Sequence, residues 1–70
     1  MGLITVAVVY QFYEAHLLKM LLEEEGIQVF LGNEAIAQVY ANAAGGIEIQ
    51  VSDMDAEKAR KWLVENGYVT

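Results

Sequence analysis

Asp53 and Asp55, two carboxylates separated by one residue, are the first candidates for catalytic chemistry in this sequence. Paired carboxylates can divide the roles of general acid and general base. Ser52 stands directly before them, and a hydroxyl followed three residues later by an acid is typical of a capping box at a helix start. We therefore interpret the pair as capping residues. The sequence also lacks a nucleophile elbow, a phosphate-binding glycine motif and a metalloprotease histidine motif, so we expect no enzymatic activity.

His16 and Met20 are the second candidates, because residues four apart share a helix face and could both contact a soft metal ion. A protein metal site needs three or four converging ligands. The sequence has no cysteine and no second cluster of ligand residues. We therefore expect an exposed helix histidine, with neither a metal nor a cofactor.

Glu23, Glu24 and Glu25 form the third candidate, at what the pattern predicts to be the end of a helix. A helix C-terminus is already negative, so each carboxylate there should be slightly destabilising. These acids could bind a basic partner or a divalent cation. The interpretation we favour is a solvated, solubilising helix end whose charges are screened by water and salt.

Composition limits the function classes. The 70 residues suffice for one domain, residues 1–70, with one core. The net charge is −6, and no Lys or Arg occurs between Lys19 and Lys58. Nucleic acids and anionic membranes both need cationic partners, so we expect binding to neither. With no signal-peptide pattern and no long apolar run, the expected location is cytoplasmic.

The first half of the chain predicts a strand, a helix and a second strand. Residues 3–10 (LITVAVVY) are a β-branched apolar run that suits a central strand. Residues 12–25 change to helical spacing, with Gly26 placed to end the helix. Residues 27–31 alternate as a strand. The inward side of the helix is formed by Ala15, Leu18, Leu22 and, beside them, Leu21.

The second half predicts a strand over residues 47–51 and a helix that begins after the Ser52 cap and stops near Gly67. Residues 68–70 could form a very short further strand. The element order is β-α-β-β-α, with a final strand that is short or missing. This order predicts an α+β, ferredoxin-like fold, in which an antiparallel sheet carries two helices on one face. The second helix should bury Ala56, Ala59 and Leu63, with Trp62 at their flank.

Residues 32–46 (GNEAIAQVYANAAGG) are long for a connection between two strands, and long loops tend to be functional. Asn33 could cap a short helix that has Glu34 in its first turn. That helix would carry a small apolar face that either packs on the core or contacts a partner. We predict a mobile flap whose candidate contact residues include Ile36, Val39 and Tyr40.

The outer face of the sheet is a second candidate surface. If Ile4, Val6 and Val8 face the helices, then Thr5, Ala7 and Val9 face outward, where Phe30 joins them. Contiguous apolar patches mark interfaces, although scattered apolar exposure is also common. We predict that Val9 and Phe30 contact a partner protein or a second copy of the chain.

Two stretches, EAHLLKMLLEEEGIQVFLGNE and IEIQVSDMDAEKARKWL, resemble the family of putative prokaryotic signal transducing proteins, a domain of unknown function grouped with PII-type folds. The resemblance covers most of the chain, and its positions are mainly structural. They are Glu14, Ala15, Leu21, Leu22, Gly26, Ile27, Asn33 and Glu34 in the first half and Val51, Asp55, Ala56, Ala59 and Leu63 in the second.

The resemblance implies a regulatory or interaction role in which the loop between the second and third strands binds a partner. PII-type proteins that bind nucleotides use basic residues near that loop, and this chain has none from Met20 to Glu57. ATP binding therefore does not follow. Gln11 is also a weak helix cap for the family pattern, and the final strand is truncated. We expect a non-enzymatic regulatory or protein-interaction module, the alternative being a small-molecule sensor that binds its ligand between loop and sheet.

Overall fold

The computed structural model describes residues 2–33 and 46–68. The elements are β1 Leu3–Val9, α1 Phe12–Glu24, β2 Val29–Gly32, β3 Ile47–Ser52, a 3-10 turn Asp53–Asp55, and the second helix, α2, Ala56–Glu65. β3 lies in the centre of the sheet and is antiparallel to both neighbours. The edge strands β1 and β2 are therefore parallel and are joined by the crossover helix α1. This is the predicted β-α-β-β-α order of a ferredoxin-like fold.

Both helices pack on the same face of the sheet, as predicted, because their buried residues belong to one apolar cluster with the inward strand residues. The alternation of β3 places Ile47, Ile49 and Val51 in this cluster and turns the polar residues between them to the other face. The predicted helix stripes are also confirmed. The helix members of the core are Ala15, Leu18 and Leu22 from α1 and Ala56, Ala59 and Leu63 from α2.

The predicted facing of β1 is right for its first half and wrong for its second half. Strict alternation placed Val8 inside and both Ala7 and Val9 outside. In the structure Val9 is only 5% exposed and lies in the core opposite Ile47. Ala7 packs against that core, while Val8 is 41% exposed on the outer face.

A β-bulge in β1 causes this inversion. Thr5 pairs with Gln50, and the next paired residue, Ala7, lies opposite Ile49. Val6 is therefore the extra residue of the bulged strand. Because side chains alternate with a period of two, one inserted residue moves every later side chain to the opposite face. From Val6 to Val9 the strand is entirely apolar, so no polar residue after the bulge could have indicated the shift.

The end of α1 explains why β2 begins two residues later than predicted. Gly26 has a φ of 83°, and its N–H donates to the carbonyl of Glu23 at 3.0 Å. The N–H of Ile27 donates to the carbonyl of Leu22 at 3.1 Å. Together these bonds form a Schellman cap. Ile27 is buried, but its N–H closes the helix, and the strand pairing starts at Val29.

The end of α2 repeats this cap. Gly67 has a φ of 79° and donates to Val64 at 3.2 Å, while the N–H of Tyr68 donates to the carbonyl of Leu63 at 2.9 Å. The Tyr68 ring stacks on Trp62 with 5.7 Å between the ring centroids. Tyr68 therefore belongs to the helix end and not to the predicted short strand, whose other two residues lie outside the described part of the chain.

Candidate functional site

The outer face of the sheet carries the candidate site, because both helices pack on the inner face. Side chains on this face form two cross-strand rows. In one row Thr5 and Phe30 lie on either side of Gln50 of the central strand. In the other row the central residue is Glu48, and its neighbours are Val8 and Gly32. A carboxylate on the middle strand thus lies on the face that neither helix covers.

Side-chain hydrogen bonds hold the Glu48 carboxylate in place. The side-chain amide of Gln50 donates to Glu48 Oε1 at 2.8 Å, and the hydroxyl of Thr5 donates to the same oxygen at 3.3 Å. The amide of Asn33 approaches Oε2 at 3.5 Å, the longest of these contacts. An ionised carboxylate accepts up to about four hydrogen bonds, so Oε2 retains capacity for a donor from another molecule.

Gly32 makes the contact between Gln50 and Glu48 possible. A Cβ atom at position 32 would lie 2.9 Å from Gln50 Nε2 and 3.3 Å from Glu48 Cβ. A real Cβ atom would displace the Gln50 amide from this position. The missing side chain thus lets Gln50 lie across the edge of β2 and point its amide at the carboxylate.

Asn33 reaches Glu48 from the turn that follows β2. Its φ of 65° is in the left-handed region, where asparagine is tolerated better than most residues. This conformation differs from that of a typical helix N-cap, which is extended. The short helix predicted to follow Asn33 lies outside the described residues.

Exposed apolar side chains lie on the same face as the carboxylate, with Val8 beside it, Phe30 one row away and Leu3 opposite Ser52, further along the sheet. Leu3 is 51% exposed, Phe30 is 42% exposed and Val8 is 41% exposed. A buried cationic group is stabilised when its charge is paired and its remaining donors find acceptors. The face can therefore accept a cationic group at Glu48 while apolar parts of the same partner cover the exposed apolar side chains around it.

Of the seven predicted contact residues, the structure places Phe30 and Asn33 together on this face. The prediction for Val9 is wrong, because the bulge turns it into the core. The other four, Glu34, Ile36, Val39 and Tyr40, lie outside the described residues. The prediction missed Glu48 as a site residue, although the alternation of residues 47–51 already placed it on the outer face. The signal was an acid between two isoleucines, followed by Gln50 on the same face of the strand.

Asp53 and Asp55, the first candidates for catalysis, lie in the 3-10 turn that precedes α2. The Ser52 hydroxyl accepts a hydrogen bond from the N–H of Met54 at 3.2 Å, so Ser52 caps this turn. The predicted capping box is not formed, because Asp55 is the N-cap of α2 but makes no side-chain capping hydrogen bond. Within residues 2–33 and 46–68, no group of three acidic, histidine or cysteine side chains is arranged to hold a metal ion. The same residues contain no helix that is both long enough and apolar enough to cross a membrane.

Comparison with known proteins identifies a family. A family model described as "Putative prokaryotic signal transducing protein" matches residues 4–67, which is nearly the whole chain. No curated protein and no solved structure gave a match. The matched range includes every strand and helix of the fold except the first residue of β1, so it also includes the outer-face site.

Proposed function

We propose a function for this chain, which belongs to the family of putative prokaryotic signal transducing proteins. It is a non-enzymatic regulatory module, and it binds a partner protein through the outer face of its sheet. The observation that carries this proposal is the Glu48 carboxylate, held by Gln50 and Thr5 on the middle strand of a partly apolar face that neither helix covers. The partner we propose presents an arginine or lysine surrounded by apolar side chains.

The order of the site supports specific binding. A side chain that is already held by neighbours loses less conformational entropy when a partner arrives than a freely rotating one does. Oppositely charged groups across an interface also fix the register of the partner and exclude wrong partners. The bonds from Gln50 and Thr5 provide this preorganisation for Glu48.

The central position of Glu48 also favours a different protein over a second copy of this chain. Two copies stacked face to face around a two-fold axis would bring two Glu48 carboxylates together, and facing like charges are unfavourable. Self-association through this face, which the sequence predicted, stays a prediction. A partner with a basic side chain would instead complement both the carboxylate and the net charge of −6.

Photo-crosslinking tests the proposal in cells that express the full chain. A benzoyl-phenylalanine in place of Phe30 should capture a specific protein, whereas the same probe in place of Val64 should not. Val64 is a suitable control because it is 53% exposed on α2, away from the site. Equal capture at both positions would contradict the proposal.

The purified partner then provides the quantitative test. Glu48→Gln keeps the shape of the side chain and removes its charge, so affinity should fall at least about tenfold, as expected when a desolvated charge pair is lost. Val64→Ser should leave affinity unchanged. An unchanged affinity of the Glu48→Gln variant would overturn the role of the carboxylate.

A small cationic ligand is the second candidate, because the Glu48 carboxylate would equally accept an ammonium group. The sequence predicted an apolar or cationic small molecule between the loop and the sheet, and most of the loop residues concerned lie outside the described part. Titration of the labelled protein with pooled amine metabolites separates the two candidates. Saturable amide shifts at Glu48 and Gln50 that vanish in Glu48→Gln would favour the small ligand.

A further inference from the structure

Helix α1 is apolar on two opposite sides. Its inward side is buried in the core, while on the side that faces away from the sheet Tyr13 is 77% exposed and Met20 is 55% exposed. An open groove of about 450 Å³ runs along this side. It is lined by Phe12, Tyr13, His16, Leu17 and Met20.

The second helix provides a comparison within the same molecule. The outward side of α2 is largely charged, with Glu57, Lys58, Arg60 and Lys61 all exposed. That distribution is expected of a helix that packs on a core with one side and meets water with the other. The outward side of α1 departs from it, since an apolar stripe of this kind marks an interaction surface.

The start of α1 has Glu14 in its first turn but no side-chain cap, and its end carries an excess of acids. At the start, the N-cap Gln11 makes no side-chain capping hydrogen bond. At the other end, the last turn has no basic residue and holds the acids noted in the sequence. Lys19 pairs with Glu23 at 2.9 Å, and Lys58 donates to the carbonyl of Glu25 at 2.9 Å. Glu24 has no cationic partner among the residues that the structure describes.

We propose that α1 is a self-association surface, on which the α1 helix of a second copy packs antiparallel. Seven residues, or about 10 Å of helix, separate Tyr13 from Met20, so a two-fold axis between His16 and Leu17 places each Tyr13 against the Met20 of the other copy. Sulfur–aromatic contacts of this kind are favourable. Glu24 lies about 6 Å further along the helix, which brings its carboxylate just beyond the N-terminal turn of the other α1.

This arrangement places the Glu24 carboxylate near a helix start that has no side-chain cap. A carboxylate near a helix N-terminus is stabilised by the unpaired N–H groups and by the helix dipole. A two-fold interface requires that one surface carries both members of every contact pair. The outward side of α1 meets this requirement, with Tyr13 and Met20 as one pair and the uncapped start and Glu24 as the other. Another protein would have to supply both complements independently.

The expected dimer is weak, because one helix against one helix covers less than the roughly 800 Å² per partner of a standard interface. Sedimentation equilibrium from micromolar to millimolar protein therefore provides the first test. The wild type should approach the dimer mass, and Met20→Lys should remain a monomer with unchanged circular dichroism. Glu24→Lys should weaken association, more strongly at low salt.

Two variants serve as matched controls. Val64→Lys places the same charge on the exposed side of α2, and Phe30→Glu disrupts the outer sheet face. Both should sediment like the wild type. A wild type that is monomeric at millimolar concentration would overturn the proposal, as would a Phe30→Glu variant that dissociates while Met20→Lys still dimerises.

Engineered cysteines test the antiparallel orientation, because the chain contains no cysteine of its own. A disulfide needs Cα atoms within about 7 Å. His16→Cys lies beside the proposed two-fold axis and should form disulfide-linked dimers, while Glu24→Cys, on the same outward side, should not, since two such residues would be about 22 Å apart along the axis. Equal crosslinking of both variants would indicate parallel helices and contradict the proposal.

Discussion

The side-chain amide of Gln50 donates a 2.8 Å hydrogen bond to Glu48, two residues earlier on the same face of β3. The pair lies on the middle strand of the sheet, over the position where Gly32 has no side chain. An amide, a carboxylate and a glycine on adjacent strands together form the ordered centre of the outer face. The pairing register of β2 with β3 brings these three residues together.

Gly32→Ala should displace the Gln50 amide, because the new Cβ would lie 2.9 Å from Gln50 Nε2. Gln50 is flexible at this end and can rotate away, so the free energy of unfolding should change by less than about 1 kcal/mol. The side-chain amide resonances of Gln50 should shift, and partner affinity should fall. Unshifted resonances in Gly32→Ala would contradict the proposed role of this glycine.

Alanine variants of Val8 and Val9 test whether the bulge in β1 is present. Val9→Ala removes a core side chain and should lower the free energy of unfolding by about 2 kcal/mol. Val8→Ala, on the exposed side of the same strand, should change it by about 0.5 kcal/mol or less. Urea unfolding of the two variants measures both values. The reverse order would mean that the second half of β1 keeps a regular alternation.

An alanine variant of Gly26 tests the Schellman cap between α1 and β2. Its φ of 83° is in the left-handed region, where an L-residue costs about 1 kcal/mol or more. Gly26→Ala should therefore destabilise the protein by about that amount. Gly2→Ala is the control, because a Cβ there meets no atom within 4 Å and no left-handed backbone is required. Equal stability of the two variants in thermal unfolding would exclude this explanation.

Lys19 should control the acidity of Glu23. The hydrogen bond from Lys19, at 2.9 Å, lowers the pKa of Glu23 below its ordinary value. A lowered pKa in the folded state stabilises the protein above the unfolded pKa, and this stabilisation is lost as pH falls through the folded value. In Lys19→Met the Glu23 pKa should rise toward normal, as read from its side-chain carboxyl resonance. An identical titration in both proteins would contradict the pairing.

The sequence predicted the inward residues of β3 and both helices because each pattern had polar residues between its apolar ones. The same reasoning failed for β1. Every residue from Val6 to Tyr10 is apolar or aromatic, so the sequence pattern does not indicate the bulge. The sequence predicted one part of each Schellman cap, because Gly26 and Gly67 were identified as the residues that end the helices. The sequence did not predict that the N–H of the following residue, Ile27 or Tyr68, donates a hydrogen bond back to the helix.

The site was predicted only in part for a related reason. Phe30 was an obvious candidate because a large apolar residue faced outward, and Asn33 followed it into the turn. The role of Glu48 depends on three donors from three different parts of the chain, namely Thr5, Gln50 and Asn33. Their convergence is a consequence of strand register, which spacing along one strand does not reveal.

A charge-swap experiment tests the central claim most directly. Glu48→Arg should abolish binding of the partner captured at the outer face, and replacing the contacting arginine or lysine of that partner by glutamate should restore it. The double-mutant cycle should give a coupling energy above about 1 kcal/mol, as for charge pairs in direct contact. Additive effects, with no restoration in the swapped pair, would show that Glu48 is not the residue that recognises the partner.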